Sequence, residues 1–228
     1  MRAHGIREFE NIKARKKISN DPKYTEPVNR VAKRLQKVID MPGAEWEFVV
    51  FKDSTPNAFA LPGGKVGINT GLFKIVDNDT LLAAVLGHEI SHATATHAYQ
   101  RMAHAAVSII GGALLYHALD REDADHPGET VVAYAIAVYL LDALPLSRRQ
   151  EYESDRIGAI YMAEAGYDPR QAVELWRRLE KYHHHHGGQR AEFLRTHPHD
   201  TSRVKALEEF MPIAIERYRQ TREKHPKR

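Results

Sequence analysis

Two histidines and a glutamate in the short motif HEISH have the types and the spacing of a metal site. His88 and His92 are four residues apart, so on a helix both imidazoles face one side, as two ligands of a tetrahedral zinc ion require. Glu89 would lie beside such an ion without binding it, where a carboxylate can take a proton from metal-activated water. Such a five-letter motif also occurs by chance on helices that bind no metal.

A catalytic zinc site needs a third protein ligand and an open fourth position, and this chain contains no cysteine. A His, Asp or Glu must therefore serve. The segment SRRQEYESD offers Glu151 and Asp155, which also share one face of a predicted helix. Glu151 can bind the metal while Asp155 accepts a hydrogen bond from a ligating imidazole. Taken alone, such a carboxylate pair is more often a solvated helix face.

The elements around these residues are mostly helices, with one small sheet, so the predicted fold class is α+β, mainly α. An amphipathic helix is predicted from Pro27 to Ile39, and a strand in EWEFVVFKD. Two short extended pieces, Asn57 to Leu61 and Lys65 to Asn69, flank the tight turn Pro62-Gly63-Gly64. The glycines supply the positive φ angles that such a turn needs.

The chemical residues are predicted to lie on two helices. The first begins at Thr80, after the capping side chains of Asp77 to Asp79, and runs without a breaker through LLAAVLGHEISHATATHAYQRM. The second runs from about Ser147 to Ala165, with Gly166 as its C-terminal cap, and carries EYESD. A further helix is predicted after Asp168-Pro169. The second half of THPHDTSRVKALEEF is helical again.

Two apolar stretches lie between these helices: Ala105 to Leu115, and Val131 to Leu146, which Asp142 and Pro145 interrupt. Both are shorter than the ~20 uninterrupted apolar residues that span a bilayer. Buried core helices are the favoured interpretation, and a peripheral membrane contact is the alternative, because the polar insert DREDADHPGE resembles the turn of a helical hairpin. The sequence therefore predicts no transmembrane segment, and its charged start lacks the apolar core of a signal peptide.

The composition excludes several classes of protein. The 228 residues carry a formal net charge of +3, and the basic residues are scattered except for the tail from Arg217 to Arg228, which does not favour binding to nucleic acid. Without cysteine there is neither a disulfide framework nor a cysteine nucleophile. Nothing in the sequence predicts the oligomeric state.

Four linked stretches resemble the zinc endopeptidases of peptidase family M forty-eight, which include the bacterial proteases HtpX and BepA, the CAAX prenyl proteases and the mitochondrial inner-membrane stress protease. They are NAFALPGGKVGINTGLF, LLAAVLGHEISHATATH, LSRRQEYESDRIGAIYMAEAGYDP and FLRTHPHDTSRV. The resemblance implies a zincin-like (gluzincin) fold, one Zn²⁺ per chain and Glu151 as the third ligand. It also implies a metallopeptidase domain at 26–212, with an N-terminal extension at 1–25 and a basic helical tail at 213–228.

Further histidines need separate interpretations. In the family, the histidine that matches His197 lies near the zinc, where it occupies the open position in a resting state or helps to stabilise the oxyanion. Taken alone, His197 is a capping histidine in a loop. Arg203, one helical turn beyond the predicted N-cap, is expected to support the same region, although its default interpretation is a surface arginine. The stretch His183 to His186 is predicted to be a mobile surface loop with at most adventitious metal binding.

His97 is predicted to be structural, near Arg101. On one continuous helix, nine residues turn its side chain away from the face of His88. The family usually has an arginine before this histidine, and this chain has Thr96 there. That departure weakens a supporting contact and leaves the metal site intact.

The resemblance implies an endopeptidase that cleaves unfolded or misfolded polypeptides in envelope or membrane protein quality control. An extended substrate is predicted to pair with a strand edge at Asn57, Ala58 and Phe59, although Phe59 fits a core position equally well. Two alternatives are a latent, chaperone-like factor whose zinc is plugged by His197, and a non-catalytic zinc module, which an intact Glu89 disfavours. The expected location is the periplasm or cell envelope, with the mitochondrial inner membrane as the alternative.

Overall fold

The computed structural model describes residues 2–121, 126–185, 192–197 and 201–224. The chain divides into two compact units: Met1–Ala95 with Tyr152–Arg228, here called the sheet unit, and Thr96–Glu151, here called the hairpin unit. Within the described residues, helices dominate and three strands form one sheet, which confirms the predicted α+β, mainly α class.

Most elements belong to the sheet unit, and helix α6 continues from one unit into the other. The sheet unit contains α1 (Arg2–Arg15), α2 (Pro22–Leu35), β1 (Glu47–Phe51), β2 (Ala58–Leu61), β3 (Lys65–Asn69), a 3-10 turn (Thr70–Lys74), α3 (Asp79–Thr94), α7 (Arg170–His185), α8 (Glu192–Thr196) and α9 (Thr201–Lys224). The hairpin unit contains α4 (His97–Arg121), α5 (Pro127–Val138) and a π-helical turn (Tyr139–Ala143), which leads into α6 (Leu144–Glu164).

The sheet has the strand order β1-β3-β2, with β1 parallel to β3 and β2 antiparallel to it. Gly63 and Gly64 make the turn between β2 and β3 at φ angles of 98° and 84°, which only glycine adopts without strain. The predicted tight hairpin is therefore confirmed. Strand β2 lies at one edge of this sheet and contacts α3, so an edge strand runs beside the helix that carries HEISH.

The core of the sheet unit is built around α3. The carboxamide oxygen of Asn78 caps this helix by accepting hydrogen bonds from the backbone N–H groups of Thr80 and Leu81, both at 3.0 Å. Every residue from Leu81 to His92 is buried, so the helix has no solvent face along its chemical segment. Helix α2 packs against α3. It begins at Pro22, after the Asp21 cap, and ends at Leu35, earlier at both ends than predicted.

The prediction of one long helix through HEISH is wrong. Helix α3 ends at Thr94, Thr96 adopts a left-handed φ of 57°, and α4 begins at His97. Nothing in the residue types signals this break, because threonine is not a helix breaker. In the hairpin unit, the break leaves His97 fully buried, with its carbonyl accepting a hydrogen bond from Gln150 Nε2 at 3.4 Å. Tertiary burial has overridden local helix propensity.

Two glycines bring α3 and α6 into direct backbone contact. A Cβ atom on Gly158 would lie 2.9 Å from the backbone nitrogen of His88, and one on Gly87 would lie 3.0 Å from the carbonyl oxygen of Gly158. The first separation is shorter than real Cβ contacts, and the second would require the neighbouring backbone to shift, so glycine at both positions allows this close approach. The crossing lies one residue before His88 on α3 and three residues after Asp155 on α6.

Substituting Gly158 by alanine tests this crossing. We expect Gly158→Ala to lower the free energy of unfolding by about 1–3 kcal/mol, because the added methyl group forces the two backbones apart. The control is Gly128→Ala on α5, where an added Cβ meets no atom within 4 Å and alanine should be neutral or slightly stabilising. Chemical denaturation measures both variants. Equal stabilities would contradict a close crossing.

The prediction that the two apolar stretches are buried core helices is also wrong. In the hairpin unit only His97 and Gly112 of α4 are buried, and no residue of α5 is. Two continuous helical stretches of the described chain, His97–Arg121 and Pro127–Glu164, are long and apolar enough to cross a membrane. Each contains an 18-residue window of high mean hydropathy, 1.5 in the first and 1.7 in the second. The expected absence of a transmembrane segment is therefore unconfirmed. Apolar composition alone does not distinguish a protein core from lipid as the surroundings of a helix.

Candidate metal centre

Three imidazoles converge at the end of α3. His88 and His92 lie one turn apart on this helix, and their Nε2 atoms are 3.2 Å from each other. The third ring is that of His197, directly after α8, whose Nδ1 lies 3.2 Å from His88 Nε2. His88 and His92 are buried, and His197 is 9% exposed. The fold thus brings the two HEISH histidines together with His197, which lies 105 residues beyond His92 in the chain.

A carboxylate completes this group. Glu151 precedes Asp155 by four residues on α6, so both project from one helix face. Among the described residues, His88, His92, Glu151 and His197 form a group whose donor atoms all lie within 4.8 Å of one another. Imidazole nitrogen and carboxylate oxygen are typical ligands of divalent transition metals, and burial keeps them together. The residues present fit a metal ion.

Asp155 orients one of these rings. Its Oδ1 lies 3.0 Å from His88 Nδ1, the ring nitrogen on the side away from the other histidines. A carboxylate in this position fixes the imidazole tautomer and directs Nε2 at the ion. Burial by itself raises the pKa of Asp155, but the Arg203 guanidinium and the hydrogen bond with His88 outweigh it, so the pKa lies below its ordinary value. Asp155 is therefore held as an anion.

Arg203 supports Asp155 from α9. Its Nε and Nη2 donate hydrogen bonds to the two carboxylate oxygens at 3.0 and 2.9 Å, a bidentate pair. The guanidinium carbon lies 4.1 Å from the centre of the Trp176 ring on α7. Arg203 is only 4% exposed, so its interpretation as a surface arginine is wrong. A chain of contacts thus runs from Trp176 through Arg203 and Asp155 to His88.

Sequence reasoning missed Trp176 and the pair Gly87 and Gly158. Trp176 lies on the apolar face of the amphipathic helix α7, where a tryptophan reads as ordinary core. The sequence pattern of α7 does not indicate that Arg203 stacks on the Trp176 ring. Gly87 and Gly158 lie inside two helices, where neither belongs to a turn. A glycine inside a helix can indicate that another element packs closely against it. These two glycines were therefore the sequence signal for the contact between α3 and α6.

His197 links the metal group to Glu89. Its Nε2 lies 3.2 Å from Glu89 Oε1, while its Nδ1 faces His88. The ring of Phe193 on α8 packs against His197 with 4.8 Å between centres. The Phe193 backbone N–H donates to the carbonyl of Pro56 at 3.2 Å, which ties α8 to the segment just before β2. His197, Glu89 and the start of the edge strand therefore belong to one neighbourhood.

The predicted substrate-binding residues lie at the start of β2. Ala58 is buried, and the ring of Phe59 packs at 6.3 and 6.2 Å from the rings of Phe9 and Phe51. The side chain of Phe59 therefore belongs to an aromatic cluster beneath α1. A role of this segment in substrate binding rests on its backbone.

The other candidate histidines stand apart from this group. His97 is buried in the hairpin unit and is absent from the metal group found among the described residues. His183 to His185 form the last turn of α7, so the loop prediction is wrong for them. His186 lies outside the described residues.

The comparisons with known proteins fit this geometry. The profile of peptidase family M48 matches residues 22–211. The chain belongs to peptidase family M48. Among curated M48 relatives, the mitochondrial metalloendopeptidase OMA1 of Saccharomyces cerevisiae is 37% identical over 188 residues, which are 78% of this chain and 51% of the relative. The Schizosaccharomyces pombe protein of the same name is 37% identical over 191 residues, 82% of this chain and 53% of the relative.

A bacterial relative from the same family is more distant. The beta-barrel assembly-enhancing protease of Escherichia coli is 30% identical over 196 residues, 82% of this chain and 39% of that protein. This chain therefore spans about half the length of the OMA1 relatives and less of the bacterial one. The match confirms the resemblance drawn from the four linked stretches.

Removing the charge of Asp155 tests its contact with His88. We expect Asp155→Asn to weaken binding of a divalent metal by about 10–100-fold, because His88 loses its anionic partner. The control is Glu153→Gln, an exposed carboxylate on the same helix, which should leave affinity unchanged. Competition with a chromophoric chelator measures both, and far-UV circular dichroism verifies folding. An unaltered affinity in folded Asp155→Asn would refute the role of this contact.

Proposed function

We propose that this chain is a zinc-dependent endopeptidase of zincin-like (gluzincin) fold that hydrolyses unfolded or extended polypeptides. In this proposal His88, His92 and Glu151 hold one Zn²⁺, and Glu89 is the general base. One observation carries the proposal: the donor atoms of these three ligands are buried and lie within 4.8 Å of one another. The carboxylate of Glu89 lies beside this group without belonging to it. Membership of peptidase family M48 supports the reaction type.

The donor set favours zinc over other metals. Two imidazoles with one carboxylate are the ligands of a known class of catalytic zinc sites, in which a fourth position stays open. The chain has no thiolate to offer, and calcium and magnesium prefer sites made of oxygen ligands.

The chain's own residues have separate roles in peptide hydrolysis. Zinc, when bound, acts as a Lewis acid on water and on the substrate carbonyl. Glu89 accepts the proton of the attacking water and passes it to the departing amine, as a buried carboxylate beside the reacting atoms can. His197, whose Nε2 is 3.2 Å from Glu89 Oε1, is close enough to donate a hydrogen bond to the developing oxyanion. Asp155 and Arg203 keep His88 oriented.

Two other functions are less well supported. A non-catalytic zinc module has no use for a buried carboxylate such as that of Glu89, which is not among the four donors of the metal group. A latent, chaperone-like factor gains no support from the relatives, whose names are those of a metalloendopeptidase and a protease. The endopeptidase is therefore the function that we propose.

The substitution Glu89→Gln tests the general base. We expect Glu89→Gln to retain zinc at one ion per chain and to lose at least about 100-fold in kcat on unfolded casein, because the amide cannot accept a proton. Glu153→Gln is the matched control and should cleave at the wild-type rate. Undiminished turnover by zinc-loaded Glu89→Gln would refute the assignment.

Metal removal provides a second check of the same proposal. We expect a chelator to abolish cleavage by the wild-type protein and added Zn²⁺ to restore it. Zinc content is measured by elemental analysis after the chain is freed of loosely bound metal, because His183 to His185 could add ions to the count. Full activity in the zinc-free protein would overturn the metal-dependent mechanism.

The outer edge of β2, which no other strand of the described residues covers, supports a preference for extended chains. The carbonyl of Asn57 accepts a hydrogen bond from the N–H of Asn69 at 2.9 Å, and alternation along an antiparallel pair then turns the N–H groups of Ala58 and Ala60 away from β3. Outward N–H groups on an edge strand can pair with an extended peptide. Only an unfolded or extended substrate can present its backbone in this way.

Substituting Ala60 by proline tests this edge. We expect Ala60→Pro to lower kcat/KM for an unfolded substrate by about three- to tenfold, the value of one lost hydrogen bond, because proline has no N–H to donate. The sheet keeps its own hydrogen bonds, since this N–H points away from β3. The control is Ala60→Val, which retains the donor. Equal kcat/KM for both variants would refute pairing at this position.

The cellular role is proposed from the relatives' names alone. One relative is a mitochondrial metalloendopeptidase and another a bacterial beta-barrel assembly-enhancing protease. The bacterial name supports a role in envelope protein quality control, and the other name supports a mitochondrial location as the alternative. The substrate partner is an unfolded or misfolded polypeptide.

A further inference from the structure

The hairpin unit has apolar side chains on its outside. The large aliphatic residues Val107, Ile109, Ile110 and Leu114 of α4 are 60–72% exposed. On α5 and the π-helical turn that follows it, the side chains of Val132, Ile136, Leu140 and Leu141 are 54–80% exposed. The chain as a whole has a mean hydropathy of −0.51, against 1.5 and 1.7 for the most apolar 18-residue windows of the two stretches. Such exposure is unfavourable in water.

Where α4 and α5 approach each other most closely, α4 presents Gly111 and Gly112 to Tyr134 and Val131 of α5. A Cβ on Gly111 would lie 2.3 Å from Tyr134 Oη, and one on Gly112 would lie 3.6 Å from the same ring. Glycine thus allows the aromatic side chain of α5 to lie directly on α4. Helices in water bury large aliphatic residues between them, whereas helices in lipid pack through small residues and leave aliphatic ones outside. This hairpin has the second arrangement.

The apolar surface is too broad for a single protein partner. At 100° per residue, the four exposed aliphatic residues of α4 cover an arc of about 160°. The part of α4 that faces α5 carries the glycines. A partner helix or a second copy would cover one stripe, whereas hydrocarbon chains surround a hairpin on every open side.

The charged residues lie at the ends of the helices. Between Met102 and Leu119 there is no Asp, Glu, Lys or Arg, and Asp120 and Arg121 follow at once. On the return segment Asp142 is the one acidic or basic residue between Val131 and Leu146, and its Oδ2 lies 2.8 Å from His104 Nδ1 near the start of α4. This pair lies within four residues of one end of the apolar zone, and the polar insert DREDADHPGE follows the other end. Charges at both ends fit two membrane interfaces.

The length of the apolar zone fits a bilayer. Met102 to Leu119 spans about 27 Å and Val131 to Leu146 about 24 Å at 1.5 Å per residue. The hydrocarbon core of a typical bilayer is about 30 Å thick, and a few ångströms of mismatch are accommodated by local thinning. The polar insert is too highly charged to stop within hydrocarbon, so the tip of the hairpin must reach the far interface.

We propose that α4, α5 and the segment up to Leu146 form a hairpin that spans a lipid bilayer. The chain crosses twice, so His88 and His92 before the hairpin and Glu151 after it remain on the same side of the membrane. A peptidase held in this way would act on substrates at the membrane surface. The proposal replaces the expected peripheral contact with an integral one.

The absence of cysteine permits a direct test with the full chain. Single-cysteine variants are labelled with an environment-sensitive nitrobenzoxadiazole probe and incorporated into phosphatidylcholine vesicles, whose zwitterionic lipid excludes adsorption by charge alone. The positions are Ile110 and Ile136 in mid-hairpin, Asp120 at the tip, and Lys33, an exposed residue of α2, as the control. Quenching by a spin label at the middle of the acyl chains reports the depth of each probe.

We expect quenching at Ile110→Cys and Ile136→Cys to exceed that at Lys33→Cys at least about fivefold, with Asp120→Cys near the control value. Strongest quenching at Asp120→Cys would overturn the spanning hairpin, since a hairpin that enters only from one side buries its tip. Equal quenching at all four positions would overturn lipid burial altogether. A water-soluble dimer that does not float with vesicles would also overturn the proposal, because a second copy of the chain would then cover the apolar surface.

A charge-insertion variant provides the independent measurement. We expect the double variant Ile110→Glu, Ile136→Glu to lower the fraction that floats with vesicles by at least about tenfold, because two carboxylates in mid-bilayer are strongly unfavourable. The control replaces exposed positions of the sheet unit, Lys33→Glu with Lys37→Ala, and should float like the wild type. Equal flotation of both double variants would refute insertion, and far-UV circular dichroism verifies that each is helical.

Discussion

The contact between Gly87 and Gly158 is the constraint on which the metal group depends. HEISH and EYESD lie on different helices and begin 63 residues apart, and neither motif can bind an ion alone. Their ligands meet because α3 and α6 cross with backbone against backbone, next to His88 and one turn after Asp155. Any side chain at the crossing would push the carboxylate helix away from the imidazoles. Two residues without chemistry therefore decide whether the chemical residues can meet.

Electrostatics then fixes what packing has brought together. Asp155 is buried, and a lone buried carboxylate would be protonated or would destabilise the fold. The bidentate contact with Arg203 keeps it ionised, and the Trp176 ring covers the guanidinium in turn. Asp155 acts on the metal group through its contact with His88 Nδ1, which orients that ring. Residues from α7 and α9 thus take part in holding a ligand of α3, which ties the last helices of the chain to the site.

The two units of the chain satisfy opposite rules of packing. The sheet unit buries aliphatic side chains such as those of Leu81 and Leu86 and leaves charged ones outside, as proteins in water do. The hairpin unit has aliphatic residues outside and glycine beneath Tyr134 inside. Both patterns follow from the same requirement that apolar surface avoid water. Protein meets this requirement in the first unit, and lipid meets it in our proposal for the second.

The sequence by itself determined the local features of this protein. The i, i+4 spacings of His88 with His92 and of Glu151 with Asp155, the Gly63-Gly64 turn and the Asn78 cap depend only on residues close in the chain. Tertiary structure alone decided the features that depend on distant contacts. They include the break at Thr96, the burial of Arg203 against Asp155 and Trp176, and the meeting of His197 with Glu89. Burial and pairing between distant residues override local propensity, and local spacing does not encode which distant residue will be the partner.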